Sequence, residues 1–166
     1  MRTGFSQFDL TIGKDEWLTP KYITDVLGPF DLDPCASIVR PWDIGTTCYT
    51  KENGGGLIKD WHGFVWCNPP YGRETEKWMK RMAEHNNGIA LIFARTETKT
   101  FFKWIWPKAS GFFFIEKRVN FCDTQGVASK ASAGAPSVLV AYGEEAARRL
   151  RECTLNGKYL DNRGRG

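Results

Sequence analysis

The run IALIF (89–93) is apolar at five successive positions. A strand with one face in water alternates apolar and polar side chains. A strand without alternation has both faces covered, as in a sheet sandwiched between helices. GFVWC (63–67), GFFFIE (111–116) and SVLVAY (137–142) read the same way, and FDLD (30–33) and TCYT (47–50) are shorter candidates. Helical patterns lie between them. In WLTPKYITDVLGPF (17–30), Thr19 is placed to cap, Pro20 suits the first turn, and Gly28-Pro29 stops the helix. RETEKWMKRMAEHNN (73–87) carries Trp78, Met79, Met82 and Ala83 as an apolar stripe. KTFFKWIWPKA (99–109) and GEEAARRLREC (143–153) are the other two helices.

Alternating strands and helices predict an α/β fold with a mostly parallel twisted sheet and helices on both faces. The length of 166 residues suits one domain over 1–166. Its core is expected at about 15–153, with 1–14 and 154–166 mobile and the small-residue stretch 122–136 a flexible loop. Five scattered cysteines without a CxxC pair, and only two histidines, His62 and His85, argue against a metal site and for free thiols. No run is long enough to span a membrane, and the N-terminus lacks an apolar signal segment. A cytoplasmic location follows as the expectation. The net charge of +4 suits a polyanionic partner without requiring one.

Ligands of doubly wound sheets bind beyond the carboxyl ends of the strands. Two short motifs fall there: Asp33-Pro34-Cys35-Ala36 after the 30–33 strand, and Asn68-Pro69-Pro70-Tyr71 after the 63–67 strand. Two prolines cannot continue a ladder, so the second motif is a stiff loop at a strand exit. It presents the Pro69 carbonyl and the Asn68 side-chain oxygen as acceptors, and Tyr71 as a flat face. That set can hold a planar ring bearing an exocyclic amino group. Accepting both amino hydrogens localises the nitrogen lone pair, which the ring otherwise delocalises. The amine becomes a nucleophile without a strong base.

Asn68-Pro69-Pro70-Tyr71 resembles the catalytic motif of S-adenosylmethionine-dependent amino methyltransferases. DEWLTP (15–20), FDLDPCAS (30–37), YTKENGGGLIKDW (49–61), VWCNPPYGRE (65–74) and ALIFARTETKTFF (90–102) occur in the order seen in phage-encoded DNA N6-adenine methyltransferases of the Dam type. KRVNF (117–121) and GAPSVLVAYG (134–143) are similar to the C-terminal part of that family.

The resemblance implies a Rossmann-like methyltransferase fold, S-adenosylmethionine as cofactor, double-stranded DNA as partner and the cytoplasm of a bacterial host as location. It implies that Asn68, Pro69, Pro70 and Tyr71 are catalytic, gripping a flipped-out adenine. Trp17, Thr19, Pro20, Asp33, Pro34, Cys35 and Ala36, with Asn68, would form the cofactor pocket. Glu52 or Asn53 would hold the ribose, and Asp60 the cofactor's adenine end. Two departures stand out: no G-x-G loop follows Asp33, and the ENGGGL turn (52–57) has Asn and Gly where the family commonly has Asp. Arg73, Arg95, Thr96, Thr98, Lys117, Arg118 and Lys130 are candidate DNA contacts, as well as ordinary caps and solvated charges. The segment 73–77 and the loop 122–136 are candidates for reading sequence.

Other acceptors share this chemistry: RNA adenine, cytosine N4 or a protein glutamine. Cytosine enzymes tend to carry Ser or Asp before the prolines, and glutamine enzymes an added N-terminal helical domain. A catalytically inactive nucleic-acid-binding protein is a third reading, against which the intact motif speaks.

Overall fold

The computed structural model describes residues 17–164. The expectation for 1–14 lies outside the described residues. Helix α1 spans Lys21–Leu27, α2 Thr75–His85 and α3 Glu144–Glu152. The strands are β1 (Phe30–Asp33), β2 (Gly45–Cys48), β3 (Val65–Cys67), β4 (Gly88–Phe93), β5 (Gly111–Ile115), β6 (Ser137–Tyr142) and β7 (Gly157–Asp161). They form one seven-stranded sheet in the order β2-β1-β3-β4-β6-β5-β7.

The chain is a single α/β domain, but its sheet is mixed rather than mostly parallel. Strands β2, β1, β3 and β4 are parallel neighbours. The β4–β6, β5–β6 and β5–β7 pairs are antiparallel. Continuous apolar runs report burial on both faces, and that is what β4 and β6 have: β6 is buried at every position. Burial does not report strand direction.

Two cores flank the sheet. On one face, Ile23 and Leu27 of α1 and Ala146, Ala147 and Leu150 of α3 pack with Phe30, Trp66 and Leu139. On the other, Trp78, Met79 and Met82 of α2 pack with Leu32, Cys67 and Ile92, joined by Phe101 and Ile105. Helices on both faces are thus observed. Phe101–Ile105 is a short π-helical turn where a longer helix is expected. Phe102 on that turn is 66% exposed, unlike its buried neighbour Phe101.

The segment 154–166, expected to fray, contains β7. Gly157–Asp161 pairs along the whole of β5. Only Tyr159 in it is half-buried, so there was no hydrophobic alternation to reveal it. Gly157 lies so close to the Phe114 carbonyl that a Cβ there would be 2.3 Å away. The loop 122–136 is tied down at several points: Ser129 donates to the Phe121 carbonyl (2.8 Å), and Ala133 to that of Val119 (3.0 Å).

Candidate active site

Because β2, β1, β3 and β4 run parallel, their carboxyl ends share one edge of the sheet. The segments leaving β1, β2 and β3 line a cavity of about 450 Å³ there. Asp33, Pro34, Cys35 and Ala36 form one side, and Asn68, Pro69, Pro70 and Tyr71 another. Trp17 and Thr19 form a third wall. That wall is held by a short antiparallel bridge: Leu18 N–H donates to the Cys122 carbonyl (2.8 Å), and Cys122 N–H returns the bond (2.9 Å). The loop after β5 therefore pins the N-terminal segment against the site.

Asn68 is oriented from both ends of its amide. Its Nδ2 donates to the Trp17 carbonyl, and its Oδ1 accepts from the Tyr71 hydroxyl, both at 3.4 Å. Such long bonds orient a group without saturating it. The loop is closed by Thr75 Oγ1, which donates to the Pro70 carbonyl at 2.7 Å. Burial pushes the Tyr71 phenol above its usual range, so it remains a proton donor to Asn68. One face of the Tyr71 ring is already taken by Phe93, whose centroid is 4.0 Å away with the planes 9° apart. Phe121 meets Tyr71 edge-on at 6.4 Å.

Asp33 is the buried charged group of the cavity, and the exposed Lys51 also lines it. Asp33 is 5% exposed, and Cys35 N–H donates to its Oδ1 at 3.2 Å. Loss of hydration pushes its carboxyl up to about 7; the Cys35 N–H and the Arg40 guanidinium pull it down, and Asp43 pushes it up. A buried carboxylate balanced near neutrality is primed for a cationic ligand group. Two residues that line this cavity each carry a buried side-chain atom without a partner among the described residues: Thr19 Oγ1 and Trp66 Nε1. Helix α1 is not capped by a side chain, so Thr19 does not perform the capping expected of it. The residues present thus fit a small polar molecule with a cationic group.

Several expected site residues lie outside the lining. Pro20 is buried as the residue before α1, and Glu52 is exposed on the 3₁₀ turn Lys51–Asn53. Asp60 is exposed, but its carbonyl accepts from the hydroxyl of Tyr49, a lining residue, at 2.9 Å. The GGG stretch (54–56) contributes a wall of the cavity. Gly55 and Gly56 line the cavity, Gly55 has φ of +66°, and a Cβ on Gly56 would fall 2.0 Å from the Pro34 carbonyl oxygen. Three successive glycines were the available signal for so close an approach. Trp66, Tyr49, Phe93 and Phe121 carried none, since each reads as core or strand.

The candidate DNA contacts spread around this edge. Arg73 is exposed beside Gly72. The Arg95 guanidinium lies 5.6 Å from the Phe93 ring centroid. Thr98 Oγ1 donates to the Arg95 carbonyl (2.8 Å) and accepts from Phe101 N–H (3.4 Å), which is a capping role. Thr96 lines a separate shallow depression with Glu97, Phe102 and Trp106. Lys117 and Lys130 are exposed, and Arg118 donates to the Ala133 carbonyl at 3.1 Å. No group of three or more metal-ligating side chains occurs among the described residues, and no helix among them is long and apolar enough to cross a membrane.

A family model described as DNA N-6-adenine-methyltransferase (Dam) matches residues 9–165, nearly the whole chain. No curated protein and no solved structure matches it.

Proposed function

The chain belongs to the DNA N-6-adenine-methyltransferase (Dam) family, and on that premise we propose that it transfers a methyl group from S-adenosylmethionine to N6 of adenine at specific sites in double-stranded DNA. The observation that carries this reading is that one cavity is lined both by Asn68–Tyr71 and by Asp33–Ala36. Bound there, the cofactor supplies an electrophilic methyl group on a sulfonium.

The protein's own residues bind, orient and exclude. Asn68 Oδ1 and the Pro69 carbonyl accept the two amino hydrogens of the target base, which favours a tetrahedral nitrogen. Tyr71 covers the base with the ring face that Phe93 leaves open, and its hydroxyl keeps the Asn68 oxygen turned toward the site. The amino group of a paired adenine is not accessible in the stack, so the base is taken out of the duplex. Asp33, in its ionised form, takes the cationic end of the cofactor. Pro34, Cys35, Ala36, Trp17 and Thr19 shape the pocket around that end. Arg73, Arg95, Lys117, Arg118 and Lys130 are the proposed contacts to phosphate.

A labelled-methyl transfer assay on DNA, RNA and protein acceptors, followed by nucleoside analysis, tests this. The expected product is N6-methyladenine in DNA. Label only in RNA, in cytosine or in protein would replace the acceptor. Cofactor binding with no transfer to any acceptor would remove the enzyme.

A further inference from the structure

Gly54, Gly55 and Gly56 have no side chains with which to pack, and Gly54 and Gly55 sit at φ of +91° and +66°. Such a stretch loses the most backbone freedom on ordering, so groups outside it must fix its path. Helix α2 provides one. Arg81 Nη1 donates to the Gly56 carbonyl and to the Leu57 carbonyl, each at 2.9 Å. The Arg81 guanidinium lies 4.8 Å from the Trp61 ring centroid, and Trp61 Nε1 is a second donor to the Gly56 carbonyl, at 2.7 Å. That carbonyl thus accepts two bonds, one of them from a charged donor. Arg81 and Trp61 are half-buried and stand outside the lining, whereas Gly55 and Gly56 belong to it. Gly56 also abuts the lining residue Pro34 so closely that a Cβ would fall 2.0 Å from the Pro34 carbonyl oxygen.

We propose that Arg81 is a positioning residue of the cofactor pocket: from outside the cavity it grips the Gly56 and Leu57 carbonyls and sets how closely the glycine wall stands to the Asp33–Ala36 loop. This deepens the reading of S-adenosylmethionine as the cofactor and rests on it. A guanidinium suits the task. One Nη1 offers a hydrogen to each carbonyl, while its flat face stacks on Trp61 and few rotamers remain open to it. Without that grip, the glycine backbone relaxes away from its close approach to Pro34. The wall must then be ordered as the ligand binds, and the cost of ordering is subtracted from affinity. Turnover of the bound complex is spared, because the Asn68–Tyr71 loop is held separately by Thr75, the first residue of α2.

The test measures S-adenosylmethionine affinity by calorimetry, turnover on DNA at saturating cofactor, and thermal unfolding, all on the full chain. Arg81→Met keeps the stem and removes the donors. Arg81→Lys keeps a cation able to donate to both carbonyls, and Trp61→Phe keeps a ring and removes the N–H. Arg149→Ala is the control: it loses bonds to the Leu27 and Pro29 carbonyls, neither of which belongs to the lining. Arg81→Met is expected to bind S-adenosylmethionine roughly tenfold more weakly, with turnover at saturation within about twofold of the parent. Arg81→Lys should recover affinity to within about threefold of the parent, and Arg149→Ala should melt lower with affinity unchanged. Trp61→Phe is expected to weaken binding roughly threefold, so the question is answered even if Arg81→Met does not fold. Parent-like affinity with lower melting in Arg81→Met or, should that variant not fold, in Trp61→Phe would overturn the positioning role and leave a stabilising one. An equal loss of affinity in Arg149→Ala would overturn it too. Failure of the unmodified protein to bind S-adenosylmethionine would instead bring down the cofactor reading itself, and the positioning role with it.

Discussion

Tyr71 lies flat on Phe93, ring centroids 4.0 Å apart. The two residues leave different strands of the parallel half-sheet, so the stack ties the Asn68–Tyr71 loop to the end of β4. Phe93 thereby holds the Tyr71 ring in place. Stacked aromatic pairs contribute about 0.5–1.5 kcal/mol beyond burial. Phe93→Leu is predicted to lower turnover roughly 2- to 12-fold with cofactor affinity unchanged, and Phe93→Tyr to restore it. Single-turnover kinetics beside cofactor titration separate the two effects.

Asp33 is predicted to make cofactor binding depend on pH. Its carboxyl is raised to about 7, and a cationic ligand prefers the ionised form. Affinity should therefore rise between about pH 6 and 8 with release of a proton on binding, and Asp33→Asn should flatten the profile. Calorimetry in buffers of different ionisation enthalpy reads the proton directly. For folding the sign is opposite. The unfolded chain loses this proton near the ordinary value of 3.8 and the folded chain only near 7. Stability from this group is thus greatest below about pH 4 and declines through pH 7. The ligand-free Asp33→Asn protein should melt higher than the parent at pH 8.

Gly56 is predicted to tolerate no side chain. A Cβ would meet the Pro34 carbonyl oxygen at 2.0 Å, and the Gly56 carbonyl accepts from Trp61 Nε1 (2.7 Å) and Arg81 (2.9 Å). Gly56→Ala should displace the cavity wall, costing about 1–3 kcal/mol by denaturant unfolding and weakening cofactor binding together.

Arg149 supplies the contrasting case, stability without catalysis. Its Nη1 donates to the carbonyls of Leu27 (2.9 Å) and Pro29 (2.7 Å), and its guanidinium lies 3.9 Å from the Phe64 ring centroid. Arg149→Ala removes the partner of both carbonyls and should cost about 1–3 kcal/mol while leaving turnover per folded molecule unchanged. Arg148, whose partners Glu145 and Glu152 are both on the surface of α3, should be nearly silent when replaced.

The position of the candidate cavity was readable because apolar runs and proline stops are local signals. IALIF and GFVWC marked β4 and β3, and Asn68-Pro69-Pro70 had to lie where β3 ends. What depends on pairing between distant segments was not readable. The direction of β6 is set by its register with β4, Gly88 opposite Tyr142, and leaves no trace in a run that is buried throughout. β7 is an exposed edge held by backbone bonds, with little hydrophobic pattern. Trp66 reads as core, and it is core; that it also lines the cavity leaves no trace in an apolar run. Thr19 carries a good capping residue's chemistry, but α1 has no side-chain cap and the Thr19 hydroxyl has no partner among the described residues.

The central claim is that Asn68 grips the amino group that receives the methyl. The most direct test is Asn68→Ala, assayed for N6-methyladenine in DNA beside S-adenosylmethionine binding. Loss of one preorganised hydrogen-bonding group of this kind costs roughly 10²- to 10³-fold in turnover. The account predicts a loss at least that large with cofactor affinity within about threefold of the parent. A variant that methylates DNA at the parent's rate would contradict it.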